Sequence, residues 1–421
     1  TPSELTMKLI EEGADIHYEE APEKIPGEFK NPESTLVVYT AAMPEDHILL
    51  QYFRKHGFTI YKRAQVLGML TRSSKGLCAA GTHGKTTTST MTAHLLHQSP
   101  VGCDAFLGGI SKNYGTNLLL SDNSAYVVIE ADEFDRSFHW LSPYATIITS
   151  TDADHLDIYG TEEAYLESFN HYTSLIQPGG ALIIREGIQL QPRLQEGVRL
   201  YTYSSESGDF HAENIRIGGG EIVFDYVSPL GNISDVQLGV PVAINIENGI
   251  AAMALAQLGG VSNEDIKTGM ASFRGVDRRF DFKIKTDKVV YLSDYAHHPE
   301  EIKQSIISMR ALYGDKKLTG VFQPHLYTRT RDFYQEFADS LSLLDEVILT
   351  DIYPARELPI EGVSSELIYD NLRPGMDKTL CKKEEVIDIL KEKEIEVLIT
   401  LGAGDIENYA PQICEILNER C

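Results

Sequence analysis

The sequence predicts an α/β protein of three domains, the second and third each built on a parallel sheet flanked by helices. Three observations predict this. Short apolar runs without polar alternation, such as Tyr126 to Ile129 and Val397 to Leu401, recur along the chain, as expected for strands buried on both faces. Helical patterns separate those runs, which implies crossover connections and a doubly wound sheet. The length of 421 residues holds about three cores at roughly 150 residues each.

Taken in order, residues 1 to 74 offer a strand-like run at Thr35 to Ala41 and an amphipathic stretch from Ile48 to His56. So few elements read as a small α/β unit, apparently incomplete. The second block, 75 to 275, opens with the apolar run Gly76 to Ala80, a glycine-rich turn and a helical pattern through Leu96. Buried strands are expected at Tyr126 to Ile129, Thr146 to Thr149 and Ala181 to Ile184. Between 199 and 240 the pattern alternates, with glycine turns at 218 to 220 and at Gly231, so antiparallel strands are expected there. Helices follow from Ile246 to Leu258 and from Ser262, where Asp265 completes a capping signature. The third block, 276 to 421, alternates strand (Val289 to Leu292, Leu318 to Phe322, Val347 to Leu349, Val397 to Leu401) with helix (Pro299 to Leu312, Arg331 to Leu344, Glu384 to Lys391, and a last one toward Leu417).

Composition limits the function. Charged side chains give 37 − 62 = −25, so the body repels nucleic acid and anionic lipid at long range. The 42% hydrophobic content argues against disorder, and no run approaches the ~18 apolar residues of a membrane helix. Thr1 to Gly13 has no basic stretch followed by an apolar one, so no secretory signal is expected. Five scattered cysteines without a Cys-x-x-Cys pair read as reduced thiols of a cytoplasmic protein.

Against that acidic background, five strand ends carry chemistry. Ala79-Ala-Gly-Thr-His-Gly-Lys-Thr-Thr-Thr88 places strand, glycine loop, Gly-Lys-Thr and helix in the order of a P-loop, whose backbone N–H groups and helix N-terminus hold phosphates. Lys85 would reach the β- and γ-phosphates and Thr86 would coordinate Mg²⁺; Ala79 stands where the strict pattern has glycine. Glu130 follows the run Val127-Val128-Ile129 and is the expected Mg²⁺ ligand, against the alternative of a solvated acidic loop. His155, after the next strand, would ligate a second ion or orient a phosphate, although a lone histidine is more often structural. Arg278 and Arg279 sit at the junction of the second and third blocks, where an arginine swings onto a phosphate or, equally, pairs with surface acids. In the third block, Ser293 to Pro299 and Gln323 to Arg331 end successive strands, and His325, Arg329 and Arg331 supply charge for a carboxylate. Adjacent His297 and His298 point apart on an extended chain, a poor metal pair. Gly402-Ala-Gly404-Asp405 reads as turn geometry.

Seven segments together resemble the Mur ligases, most closely the branch that adds alanine: Gly81 to Thr88, Glu130 to Asp135, Asp154 to Asp157, Asn245-x-x-Asn248, Arg278 to Phe280, Asp294 to Pro299, and Phe322 to His325 with Tyr327 to Arg329. The resemblance spans nearly the whole chain. It implies a Rossmann-like first domain for a UDP-sugar, a central ATPase domain and a Rossmann-like third domain. It further implies that ATP phosphorylates the carboxylate of UDP-N-acetylmuramate and that the amine of L-alanine attacks the acyl phosphate. The matching positions would be Gly81, Thr82, His83, Gly84, Lys85, Thr86 and Thr87 for the phosphates, with Thr86, Glu130 and His155 for two Mg²⁺ ions. Asn245 and Asn248 would face the adenine, Arg279 the γ-phosphate and Asp294 the ATP from the third domain. Tyr295, His297, His325 and Arg329 would surround the alanine, with Lys85, His155, Arg279 and His297 carrying the catalysis.

Four positions depart from the family pattern: Ile244 for a histidine, Ser293 for an aspartate, Leu326 for an arginine, and Phe169 where other branches carry a modified lysine. Roughly forty residues of a complete βαβ start, including a glycine loop for UDP, would precede Thr1. Competing readings are a recycling ligase that attaches murein peptide to the same sugar and a non-catalytic ATP-binding switch. A monomer or homodimer without nucleic-acid or membrane partners is expected.

Overall fold

The computed structural model describes residues 4–40, 43–152, 156–218, 220–355 and 357–420. Their architecture is α/β, with two large, mainly parallel sheets and two small ones.

The central sheet has seven strands, in the order Thr116–Leu119, Asp104–Ser111, Tyr126–Ala131, Lys75–Ala80, Ala145–Ile148, Ala181–Arg185 and Arg199–Tyr203. Only Thr116–Leu119 runs antiparallel, at one edge. Leu77 to Ala80, Val127 to Ile129 and Ala145 to Ile148 are all buried, because helices cover both faces. Lys75–Ala80 lies between Tyr126–Ala131 and Ala145–Ile148 in parallel register, so the loops after these three strands open on one rim.

The third-block sheet has six strands: Asp281–Lys285, Val290–Asp294, Val397–Leu401, Leu318–Phe322, Glu346–Leu349 and Asp377–Leu380. Asp281–Lys285 is antiparallel and the remainder parallel. Val397–Leu401 separates the strands that end in Asp294 and Phe322, so both of those loops reach the rim beside the glycine turn.

Several elements differ from the sequence expectation. Arg199–Tyr203 joins the central sheet in parallel with Ala181–Arg185, and the antiparallel sheet is confined to His211–Gly218, Glu221–Val227 and Ile233–Gln237. The first block is richer than its pattern indicates. Besides Leu36–Tyr39 and the helix Ile48–Lys55 it contains the parallel strand Thr59–Lys62 and the helix Arg63–Ser73. The helix after His325 starts at Tyr327, earlier than Arg331. Pro299–Leu312 follows expectation, with proline in its first turn. Ser262 accepts from Asp265 N–H and bonds its carboxylate, as the capping signature requires. Among the described residues no helix is long and apolar enough to cross a membrane, and Cys78, Cys103, Cys381 and Cys414 are free.

Candidate active site

The loop between Ala80 and the helix Lys85–His97 is held by the next strand end. His83 N–H donates to Ser150 Oγ at 2.8 Å and Thr82 N–H to Ser150 O at 3.2 Å. Thr149 Oγ1 presses on Gly81 closely enough that a Cβ there would lie 2.2 Å away. Gly84 caps the helix with φ of 81°, a left-handed conformation that suits glycine. Asn248 lies across it and also accepts from Thr88 Oγ1 at 3.4 Å. Asn248 in turn donates to Asn245 Oδ1 at 3.1 Å, so the two asparagines form one buried unit behind the loop.

Glu130 lies beside Thr86, whose hydroxyl favours its ionised form. Burial pushes the Glu130 carboxyl upward, opposed by Lys85, and its Oε2 is buried without a hydrogen-bond partner. Gly108 makes room: a Cβ there would fall 2.1 Å from Glu130 Oε2. A buried orphan carboxylate oxygen next to a threonine hydroxyl suits Mg²⁺, which takes few protein ligands and keeps waters and phosphates for the rest. No group of three His, Cys, Asp or Glu side chains forms a metal cage among the described residues. His155 lies outside the described residues.

A cavity of about 590 Å³ opens from His83, Gly84 and Thr87 to the third block. Its walls include Asn245, Asn248, Arg279, Asp294 and Glu301 on the polar side and Tyr203, Ile215, Ile217 and Ile244 on the apolar side. Ile244, the departure from the family's histidine, thus adds to an apolar wall. The junction strand is kinked by positive φ at Arg278 (63°) and Phe280 (45°). Asp294 secures the kink, accepting from Phe280 N–H at 3.2 Å and from Ser305 Oγ. Both guanidinium groups stack on Tyr295, with Arg278 Cζ 4.7 Å and Arg279 Cζ 5.4 Å from the ring centre. Arg278 also donates to Gly404 O at 3.1 Å, which leaves Arg279 as the junction arginine lining the cavity.

The third-block loops meet as the alternation of strand ends requires. The His297 and His325 rings stand 6.0 Å apart, and Arg329 Nη1 lies 3.5 Å from His325 Nδ1. His297 and His298 do diverge, His298 turning to Phe333 at 5.2 Å. Burial, then Arg329 and His297, lower the His325 pKa to about 4. Burial likewise holds His297 below the usual imidazole value despite the pull of Glu301. Both rings are therefore neutral at pH 7. Arg331 is not part of the cluster; it pairs with Asp332 at the surface. The glycine turn is structural: a Cβ on Gly404 would strike Gln323 Oε1 at 2.2 Å. Ser293 donates to Glu407, and Phe169 packs in an aromatic cluster with Phe138 and Tyr165.

Two carboxylates went unremarked in the sequence. Glu301 Oε2 accepts from His297 N–H at 3.1 Å and His298 N–H at 3.3 Å, and Oε1 is 4.0 Å from His83 Nδ1. Its place two residues after Pro299 was a readable capping signal. Glu133, in the acidic run after Glu130, lies on Lys85. A second cavity, about 770 Å³, separates the first and central blocks and is lined by Tyr39, Arg54, Lys62, Arg136, His139 and Trp140 among others.

Comparison with known proteins agrees with this geometry. Three family models match in order: the Mur ligase family, catalytic domain, over residues 1–75; the Mur ligase middle domain over 79–256; and the Mur ligase glutamate ligase domain over 278–405. A UDP-N-acetylmuramate–L-alanine ligase of Phocaeicola vulgatus is 78% identical over 420 residues, covering 100% of this chain and 92% of that protein. The chain belongs to the Mur ligase family. Among Mur ligases of solved structure, the UDP-N-acetylmuramate–alanine ligase MurC of Thermotoga maritima superposes with a TM-score of 0.81 at 25% identity, covering 100% of this chain and 92% of the other. The MurF ligase of Thermotoga maritima, solved in complex with ADP, shares the Mur ligase fold with a TM-score of 0.68 at 17% identity, covering 93% and 97%.

Proposed function

We propose that this Mur ligase joins L-alanine to the carboxylate of UDP-N-acetylmuramate, using ATP, in the cytoplasm. The observation that carries the reading is convergence on one cavity. The phosphate loop, Arg279 at the junction and Asp294 and Glu301 of the third block all border it, while cationic side chains line a second cavity on the far side of the acidic loop. The identity to the Phocaeicola vulgatus enzyme supports the same substrates. Residues 1–74, 75–275 and 276–421 are taken as the sugar-nucleotide, ATP and amino-acid domains.

In this reading Gly81 to Thr87 hold the ATP phosphates, with Asn245 and Asn248 bracing the loop and the apolar wall at Ile244 taking the adenine. Thr86 and Glu130 would hold Mg²⁺, which neutralises phosphate charge when bound. A carboxylate is a poor electrophile, so its oxygen first displaces ADP at the γ-phosphorus; Lys85 and Arg279 offset the charge of the two anions brought together. The alanine amine then attacks the acyl carbon, and phosphate leaves as the amide forms. His297, held neutral by burial, would take the amine proton, and Arg329 with His325 would seat the alanine carboxylate. The test is ADP release. It should require both UDP-N-acetylmuramate and L-alanine; release indifferent to either, or a preference for tripeptide over alanine, would sink the assignment.

A further inference from the structure

Lys85 is already fully engaged. Its Nζ lies 2.8 Å from Glu133 Oε1 and 2.7 Å from Oε2, and it donates to Gly81 O at 2.7 Å and Thr82 O at 3.3 Å. Glu133 is only 1% exposed, so its carboxylate has no access to water in exchange. It is also anchored from behind: Tyr159 donates to its backbone carbonyl, and the ring of Tyr159 carries the Arg136 guanidinium at 4.7 Å. Two and three residues on, Asp135 and Arg136 hold left-handed φ of 52° and 53°, which fixes the chain just after the carboxylate turns inward.

We propose that Glu133 is a positioning residue that holds Lys85 at the phosphate loop and competes with the nucleotide for it. The inference rests on Lys85 being a phosphate ligand. A phosphate arriving at Lys85 meets a second, water-excluded anion, and two like charges on one ammonium repel strongly where solvent screening is poor. Glu133 thus weakens nucleotide binding while keeping Lys85 pointed for turnover.

The experiment is titration calorimetry of the full chain with the non-hydrolysable analogue AMP-PNP and Mg²⁺, beside steady-state ADP release. Glu133→Gln should bind the analogue roughly tenfold more tightly, with KM for ATP and kcat both lowered. Merely structural damage would weaken binding instead. In a Lys85→Ala background the Glu133→Gln effect should vanish. Glu133→Asp, one methylene shorter, should tighten binding by a few-fold and serves if the glutamine variant does not fold. Unchanged or weaker binding in a folded Glu133 variant overturns the proposal while leaving the phosphate site intact. Lys85→Ala binding as tightly as the parent overturns the phosphate-site reading, and the proposal with it.

Discussion

The side-chain oxygen of Asn248 lies so close over Gly84 that a Cβ on the glycine would come within 2.7 Å of it. An alanine at Gly84 meets that contact and also a φ of 81°, which costs a non-glycine residue about 1–2 kcal/mol. Gly84→Ala is therefore expected to weaken nucleotide binding at least tenfold, because loop and asparagine cannot both keep their places. Calorimetry with AMP-PNP checks this, and an unaltered Kd would show that the contact yields freely.

Glu130→Gln keeps the shape of the side chain and removes the charge from an oxygen that is buried without a partner. The Mg²⁺ concentration for half-maximal ADP release should rise roughly tenfold or more, as for loss of a first ligand. Thermal unfolding without metal should not fall, since burial already disfavours the ionised carboxyl. A Mg²⁺ titration that overlays the parent curve would remove Glu130 from the metal site.

Arg329 stands beside His325 at the rim of the third-block sheet. Lysine there keeps the charge but not the planar fork that matches a carboxylate. Arg329→Lys should raise KM for L-alanine about tenfold and leave AMP-PNP affinity where it was. If KM for ATP moved instead, the amino-acid assignment would be wrong.

Arg136 lines the cavity between the first and central blocks, in a chain whose net charge of −25 makes cations scarce. Arg136→Ala is expected to raise KM for UDP-N-acetylmuramate by one to two orders of magnitude, the loss of a charge-assisted contact to an anion. Substrate-saturation kinetics with ATP and alanine in excess decide it; an unchanged KM places the sugar nucleotide elsewhere.

His94 is buried between Tyr114 Oη at 2.8 Å and Ser272 Oγ at 2.9 Å, and burial lowers its pKa from 6.5 to about 4. The folded value lies below the unfolded one, so stability is fully present above pH 6.5. Below it the unfolded chain takes up a proton that the fold refuses until about pH 4. By pH 5 this single group should cost about 2 kcal/mol. Urea unfolding at pH 7 and pH 5 should show His94→Asn losing less between the two than the parent; an equal loss would mean that His94 does not resist protonation.

Local patterns were legible where one residue type has one use. Gly81 to Thr88, the buried runs Leu77 to Ala80 and Val127 to Ile129, and Pro299 opening its helix all report short-range constraints. The antiparallel strand Asp281–Lys285, the edge strand Asp377–Leu380 and the first-block strand Thr59–Lys62 were not legible, since alternation at a sheet edge is weak and pairing partners decide them. Glu133 was invisible for another reason. In an acidic chain a carboxylate looks solvated until its neighbours are known.

By itself the sequence determined the family, the parallel-sheet class, the phosphate loop and the loops that border the cavity, because spacing within a strand–loop–helix unit fixes which side chains share a rim. Only the tertiary structure decided which charges meet. Strand order placed His297 near His325. Packing put Asn248 over Gly84 and closed Glu133 onto Lys85. Those contacts join residues 48 to 164 positions apart or, for the histidines, loops from two strands separated by a third, and local periodicity carries no signal over such separations.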